Sequence, residues 1–426
     1  MDDKTATESR RWRKGQLHCH TLWSDGMTLP EVALETYRRL GYDFVCLSDH
    51  ELLSSDTQQW REVCPDAGQW PWSLSRAEWE RAQELVPGGF DVKKTWRRTF
   101  VRLKTIPELQ RQFNAAGHFL VVSGEEASCD CHMNTFNVDA DIADDVPSPG
   151  EWSIEREHIS WATASILRAY EKVAKPDGRS FLMMNHPYWV VWDVDPRVLL
   201  DNPSVGLMEI CNSGSAKTPR ELTVEKAWDF ILAHRLAAGL PPVYGTGSDD
   251  AHYYDPPRID GVGGCDSGWV MVDCPGEMTA DALSQAIVRG DFYTSCGVLL
   301  DDVRFDRASG TLSVRAKAEP GVRYHIDFIA TKRDFDRTVA EMTVRSVEEK
   351  IFYRTLPVVP ESIGRVVARA DGPEGSYTLA PDDLYVRAVV VSDAPAKYRI
   401  ACYPETKRAW VQPVRHGDGP YSWDRA

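Results

Sequence analysis

No apolar run in this sequence approaches the roughly 18 residues that a membrane-spanning helix needs. The opening segment MDDKTATESRRWRKG has no apolar core of the kind a secretory leader carries. A cytoplasmic protein without membrane attachment is the expectation. Evenly spaced cysteines are also missing: the ten present are scattered, and a chain of 426 residues does not need disulfides, so reduced thiols are expected. Cys129 and Cys131, the one close pair, read as small buried residues. Lys/Arg stripes interleaved with aromatics are absent too, and the formal net charge is -15. That balance repels nucleic acid and acidic membranes unless a local patch overrides it. The densest basic cluster, DVKKTWRRTFVRLK at 91–104, is short and reads as a solvated face. A small-molecule partner is expected, with nucleic acid confined to a small nucleotide or oligonucleotide. Internal repeats and low-complexity tracts are lacking as well.

What is present is ample apolar content, 42% of the residues, enough for one large domain and a smaller one. Up to about residue 297, short β-like runs alternate with amphipathic helices, the pattern of an α/β fold with a largely parallel sheet. GQLHCH reads as the first strand. Thr28 with Glu31 predicts a capping box around Pro30, and EVALETYRRLG predicts a helix ending at Gly41. DFVCLSDH, HFLVVSGEE, RSFLMMNHP, VGLMEICN, PPVYGTGSDDAH and GWVMVDC read as strands. PELQRQFNAAG, a segment within 154–175, ELTVEKAWDFILAHRLAAG and TADALSQAIVRG read as helices, and DFYTSCG closes the series. Residues 51–106, rich in Trp, Arg and Glu, break the rhythm and read as an insertion over one face. The fifteen tryptophans, four of them in 60–79, suit a lid over a site mouth. Beyond Gly297, LSVRAKA, YHIDFIA and LYVRAVVVS alternate as strands, which predicts a smaller β-rich C-terminal domain at 298–426.

Five predicted strands end in metal-ligand residue types: LHCH, LSDH, SGEE, NHP and GSDDAH. In parallel α/β folds the carboxyl ends of the strands share one face, so these groups converge. Side chains alternate along a strand, which puts His18 and His20 on one side and Leu17 and Cys19 on the other. Six of the eleven histidines, His18, His20, His50, His132, His186 and His252, lie at strand ends or just beyond. With Asp25, Glu126 and Asp250 they point to a metal site. Mixed imidazole and carboxylate donors suit zinc, manganese or iron. His118, His158, His234, His325 and His416 are given no role.

The ordered set HxH, SDG, SDH, GEE, a following histidine, NHP and DDAH resembles the polymerase and histidinol phosphatase (PHP) family of metal-dependent hydrolases over residues 15–297, apart from the insertion. HMNTFN, GDFYTSCG and the doubled aspartate before AH resemble its carbaryl hydrolase-like branch. The resemblance implies a distorted (β/α)7 barrel holding two or three divalent ions, a trinuclear site when complete. It implies that His18, His20, Glu126 and Asp250 hold the first ion. Glu126 then bridges to a second at His132 and His186, while Asp25, His50 and His252 hold a third. Glu125 is the alternative bridge. The spacing Asp-x-His selects Asp250 and leaves Asp249 to orient a ligand or act as general acid or base.

Softer substrate-binding candidates are Asn212 at a strand end, Lys217, Arg220 and Arg258 as phosphate grips, and Tyr188, Trp189 and Trp192 as an apolar wall. A strand-ending Asn such as Asn212 is more often a turn residue, and aromatics are more often core, though a loop beyond a ligand strand favours a role in the site. Glu126, Asp249 and Arg258 are the catalytic candidates. The expected activity is that of a phosphoesterase cleaving a phosphomonoester or small phosphodiester by metal-bound hydroxide attack. Hydrolysis of a carboxyl ester, carbamate or lactone by the same cluster is the alternative. A non-catalytic metal- or carbohydrate-binding protein is the third.

Overall fold

The computed structural model describes residues 12–64, 73–146, 153, 155–189, 193–213, 221–254, 263–347, 351–398 and 405–417. The chain begins with β1 (Trp12–Gln16), α1 (Pro30–Arg39) and β2 (Phe44–Leu47). The insertion supplies β3 (Trp60–Cys64), β4 (Ser73–Ser75), α2 (Arg76–Leu85), β5 (Val92–Lys94) and β6 (Thr99–Arg102). Next come α3 (Ile106–Phe113), β7 (Leu120–Ser123), β8 (Glu126–Ser128), β9 (His132–Phe136), α4 (Arg156–Glu171) and β10 (Phe181–Met184). They are followed by α5 (Val198–Asp201), β11 (Leu207–Asn212), α6 (Val224–Ala237), β12 (Tyr244–Ser248), β13 (Trp269–Asp273), α7 (Ala280–Val288) and β14 (Phe292–Ser295). Strands alone make up the remainder: β15 (Leu300–Asp306), β16 (Thr311–Ala316), β17 (Tyr324–Lys332), β18 (Ala340–Val347), β19 (Ile351–Val358), β20 (Arg365–Asp371), β21 (Glu374–Thr378), β22 (Asp383–Pro395) and β23 (Thr406–Val414).

The α/β alternation is present, but among the described residues the strands of the expected (β/α)7 ring do not form one continuous sheet. Nine strands form one sheet in the order β20-β17-β22-β23-β14-β13-β1-β2-β7, and β12-β11-β10-β9-β8 form another. Isolated parallel bridges at Cys19–Ala251 and His50–Glu126 join the two sheets. Within these two sheets, β1-β2-β7 and β10-β11-β12 run parallel, and β9, β13 and β14 pair antiparallel with their neighbours. The nine-stranded sheet runs straight through residue 297, because β14 pairs with β23 at Tyr293–Val411, Thr294–Trp410 and Ser295–Ala409.

Helix α6 explains the apolar run AWDFILA. It is buried on nearly every side, as expected of a helix covered by β11 on one side and the C-terminal strands on the other. Its one buried acid, Asp229, accepts hydrogen bonds from Arg387 Nε (2.7 Å) and Nη2 (2.6 Å) and from the Tyr385 hydroxyl (2.8 Å), all on β22.

The predicted capping box at Thr28 does not form. Leu29 is the N-cap of α1, with no side-chain cap, and Pro30 opens the first turn. Glu31 is instead buried beneath the insertion, its two oxygens unpartnered by hydrogen bonds among the described residues and Oε1 3.6 Å from Lys104 Nζ. Burial pushes its carboxyl up from the ordinary range to about 7. The unfolded chain therefore loses this proton before the folded one, and stability declines as pH rises from about 4.5 to 7. Glu31→Gln is expected to stabilise the protein at pH 8 by on the order of 2–3 kcal/mol, with the gain gone below about pH 4.5. Urea unfolding of both proteins across that range measures it; an equal gain at all pH values refutes the account.

Candidate metal centre

Five chain segments deliver the cluster: the stretches that follow β1, β2, β10 and β12, and the hairpin β8–β9, whose strands open on Glu126 and His132. β1 stops at Gln16, so His18 and His20 lie just past the strand and not within it as the pattern predicted. The chain stays extended there through the Cys19–Ala251 bridge, and Leu17 and Cys19 enter the core while both imidazoles face the other way. The SDG turn then doubles back. A Cβ on Gly26 would stand 2.4 Å from the His20 carbonyl carbon and the Thr21 nitrogen, so only glycine lets the turn close. Asp49 ties this turn down: the backbone N–H groups of Thr21 (2.7 Å) and Ser24 (3.2 Å) and both their hydroxyls donate to it. Asp25 is thereby held over the cluster. Asp250 is bound in a left-handed conformation (φ 51°), which aspartate tolerates better than most residues and which is common where function fixes the backbone.

His18 Nε2 and His20 Nε2 are 3.1 Å apart, and each lies 3.2 Å from Glu126 Oε2. Asp250 Oδ1 is 3.3 Å from the first and 3.1 Å from the second. Donors held about 2.0–2.1 Å from one cation stand roughly 3.0–3.4 Å from each other, which matches this cage. Glu126 Oε1 faces His132 Nδ1 (3.2 Å) and His186 Nε2 (3.3 Å), so its two oxygens look toward different sets of imidazoles. Asp25 Oδ2 lies 3.3 Å from His252 Nε2 and 3.7 Å from His50 Nε2, while His50 Nδ1 is 3.2 Å from Glu126. All nine sequence-selected ligands fall in four overlapping groups: His18-His20-Asp250, His18-Glu126-His186, His50-Glu126-His132 and His20-Asp25-His50-His252.

The electrostatics express how many negative groups are buried together. Burial opposes the charged form of His18, yet Glu126, Asp250 and Glu209 outweigh it and hold the imidazole well above its usual range. His20 and His186 rise, against the same burial, to about 10 and about 9 through Glu126 and Asp250. Burial likewise disfavours ionised Glu126 and Asp250, but the surrounding imidazoles hold both well below the carboxylate range. His50, partly buried and beside other imidazoles, drops to about 4. Imidazoles that favour the protonated form would have to give up those protons to hold a divalent cation.

The cluster lines a cavity of about 270 Å³ together with Trp189, Tyr253 and Gly263. Trp189 is 45% exposed and covers the rings of His132 and His186, with centroids 6.0 and 5.7 Å away. Of the other candidates, Asn212 sits beside the cluster, its amide donating to Glu209 (2.7 Å) and Asp250 (3.4 Å). Tyr188 is a correction: it is buried in the main core, away from the cavity lining. So is Asp249. Its carboxylate accepts from the backbone N–H groups of Asp266, Ser267 and Gly268 and from the Tyr37 and Ser267 hydroxyls, which makes it a brace for the loop before β13 and not a pocket acid or base. Glu125 turns away and accepts from the Ile142 N–H. Lys217, Arg220, Arg258 and Trp192 lie outside the described residues.

No protein-family model matches the chain, and no curated protein does. Among solved structures it is similar to a two-domain protein from Bacteroides vulgatus ATCC 8482 containing a predicted PHP-like metal-dependent phosphoesterase. That match has 14% identity, covers 94% of this chain and 95% of the other, and has a TM-score of 0.36. It is also similar to a candidate metal-dependent phosphoesterase from Bifidobacterium adolescentis ATCC 15703. There the identity is 17%, the coverage 56% of this chain and 87% of the other, and the TM-score 0.25. Both likenesses are remote, and the chemistry assigned below rests on the cluster.

Glu209 is the residue that pattern reading missed. It accepts from His18 Nδ1 (2.9 Å), the His186 N–H (2.7 Å), the Asn212 amide and the Ser248 hydroxyl, fixing the His18 tautomer so that Nε2 faces the cage. Its only mark in the sequence is being the lone acid in the apolar strand LMEICN. Glu209→Ala is expected to weaken metal binding by about 10–100-fold. Chelator competition measures this; an unchanged affinity would show that His18 needs no such support.

Proposed function

We propose that this chain is a metal-dependent hydrolase, and specifically a phosphoesterase acting on a phosphomonoester or small phosphodiester. The observation that carries the proposal is Glu126 Oε2. It is buried, has no hydrogen bond among the described residues, and lies 3.2 Å from nitrogens of His18, His20 and His50. An orphaned carboxylate oxygen is costly in a fold unless something else satisfies it. Divalent cations fit that need and this donor set.

His18, His20, Glu126 and Asp250 would hold one ion. His132 and His186 would share Glu126 with a second, and Asp25, His50 and His252 would take a third. When bound, such ions grip phosphoryl oxygens, lower the pKa of a water toward neutrality and offset the charge that grows on the phosphorus oxygens. The chain's own part is positional. Asn185 donates to Glu126 Oε1 (2.7 Å) and steadies the shared carboxylate. Glu209 aims His18, and Trp189 narrows the mouth and limits water.

A second reading, hydrolysis of a carboxyl ester, carbamate or lactone, is favoured by one observation: among the described residues lining the cavity there is no lysine or arginine, while Trp189 offers an aromatic wall. A panel of phosphate and carboxyl esters assayed on metal-loaded protein, with metal content measured in parallel, separates the two. Phosphate-ester turnover with at least two bound ions supports the proposal. Turnover of carboxyl esters alone selects the second reading, and fewer than one bound ion after loading defeats both.

A further inference from the structure

The basic stretch that sequence analysis set aside as a solvated face forms, in the structure, the hairpin β5–β6 of the insertion. The strand order β4-β3-β6-β5 places β5 at the sheet edge, with Val92, Lys93 and Lys94 exposed. The turn Thr95–Arg98 is closed by the Thr95 N–H donating to the Arg98 carbonyl (2.9 Å). At its tip Trp96 is 85% exposed, more than any other large apolar side chain among the described residues. The Arg97 guanidinium carbon lies 3.8 Å from the Trp96 ring centroid, covering one face of the indole and leaving the other open. Arg98 reaches Glu62 at 3.4 Å, whereas Lys93, Lys94 and Arg97 have no ion pair among the described residues. Four cations and an open aromatic face are thus concentrated in six residues of a chain whose net charge is -15.

From this geometry we propose that the β5–β6 hairpin is a docking surface for single-stranded nucleic acid. A flat base stacks on the free face of Trp96, and the four cations meet the neighbouring phosphates. Lysines on an edge strand also discourage sheet extension, but that need is met without an exposed tryptophan at the tip. A lipid surface suits the hairpin less well, since inserting Trp96 would drag the stacked Arg97 into the acyl region. The overall negative charge does not forbid the contact, because charges beyond the Debye length of about 8 Å are largely screened at physiological salt. The hairpin's sheet is also seated on the loop that carries Asp25. Arg61 Nε (3.0 Å) and Nη2 (2.8 Å) donate to the Leu22 carbonyl, Trp23 Nε1 donates to the Lys104 carbonyl (3.0 Å), and Leu22, Trp23 and Leu29 share a core with Leu74, Trp79 and Val101.

The test is fluorescence anisotropy of a labelled oligothymidylate against the full chain in EDTA, which keeps binding separate from hydrolysis. Binding on the order of 10 μM is expected at about 50 mM salt. Trp96→Ala should weaken it about tenfold. The pair Lys93→Glu and Lys94→Glu should weaken it further and flatten the salt dependence by about 1.4 log units per log unit, two phosphate contacts' worth. Both variants alter exposed side chains only and should keep the wild-type circular dichroism and ester turnover. No binding at roughly 100 μM protein, affinity indifferent to both sets of substitutions, or capture by phosphatidylserine vesicles in place of the oligonucleotide would each overturn the proposal.

Discussion

Glu126→Gln is expected to lose at least one divalent ion per chain and to cut turnover on the order of 10³-fold or more. The substitution keeps size and shape but replaces an oxygen that three imidazole nitrogens surround at 3.2 Å. It also removes a group whose two oxygens face different imidazole sets, His18, His20 and His50 on one side and His132 and His186 on the other. An amide offers only one good donor atom to a cation, so the shared position is lost even if the fold is untouched. Metal analysis and turnover, measured on the same preparation, read the two effects together. Full metal content with wild-type activity would remove Glu126 from the centre. His234→Ala serves as the control, because His234 lies on α6 outside the cluster and is expected to change neither quantity.

Asp229→Ala should be the most destabilising single change outside the centre, by about 3–5 kcal/mol, because it strands the buried Arg387 charge. Burial opposes that charge, and Asp229 more than offsets the opposition, keeping the guanidinium protonated. The side chain has nowhere to retreat: it is 1% exposed and its guanidinium carbon sits 4.7 Å from the Trp228 ring. Replacing both partners by apolar residues, Asp229→Leu with Arg387→Met, should recover much of the loss, since neither member is then left unpaired. Urea unfolding midpoints decide the matter. A single variant as stable as wild type would mean that water or a neighbour already compensates Arg387.

The candidate centre was legible in the sequence because the residues that cluster there sit where apolar runs stop. A run such as FVCL or FLMM must be buried, so the polar residues directly after it have to surface at a strand end, and at one face when the strands run parallel. That logic found His50, Glu126, His186 and Asp250. It misjudged the reach of β1, since His18 and His20 keep strand-like alternation beyond the last ladder bond. It could not see Glu209, whose burial looks in sequence like an isolated charge in a strand. It chose Asp250 over Asp249 as the ligand, but it could not see that the Asp249 carboxylate turns to the loop before β13 while Asp250, in a left-handed backbone conformation, faces the cluster. Tyr188 and Trp189 are likewise neighbours that divide between core and cavity. The sheet that passes residue 297 left no local trace either, because Ser295 and Ala409 pair across more than a hundred residues.

That pairing governs how the molecule comes apart. With β23 hydrogen-bonded to β14, and Tyr385 and Trp410 packed in the same core as Trp228 and Ile231, the two halves share a continuous sheet and a common core. Heating should therefore give one cooperative transition with no plateau between an N-terminal and a C-terminal melt. A protein trimmed at residue 297 would bare the edge of β14 and the flank of α6 together, and aggregation is its expected fate. The C-terminal strands thus act as the outer wall of the fold that holds the candidate metal centre.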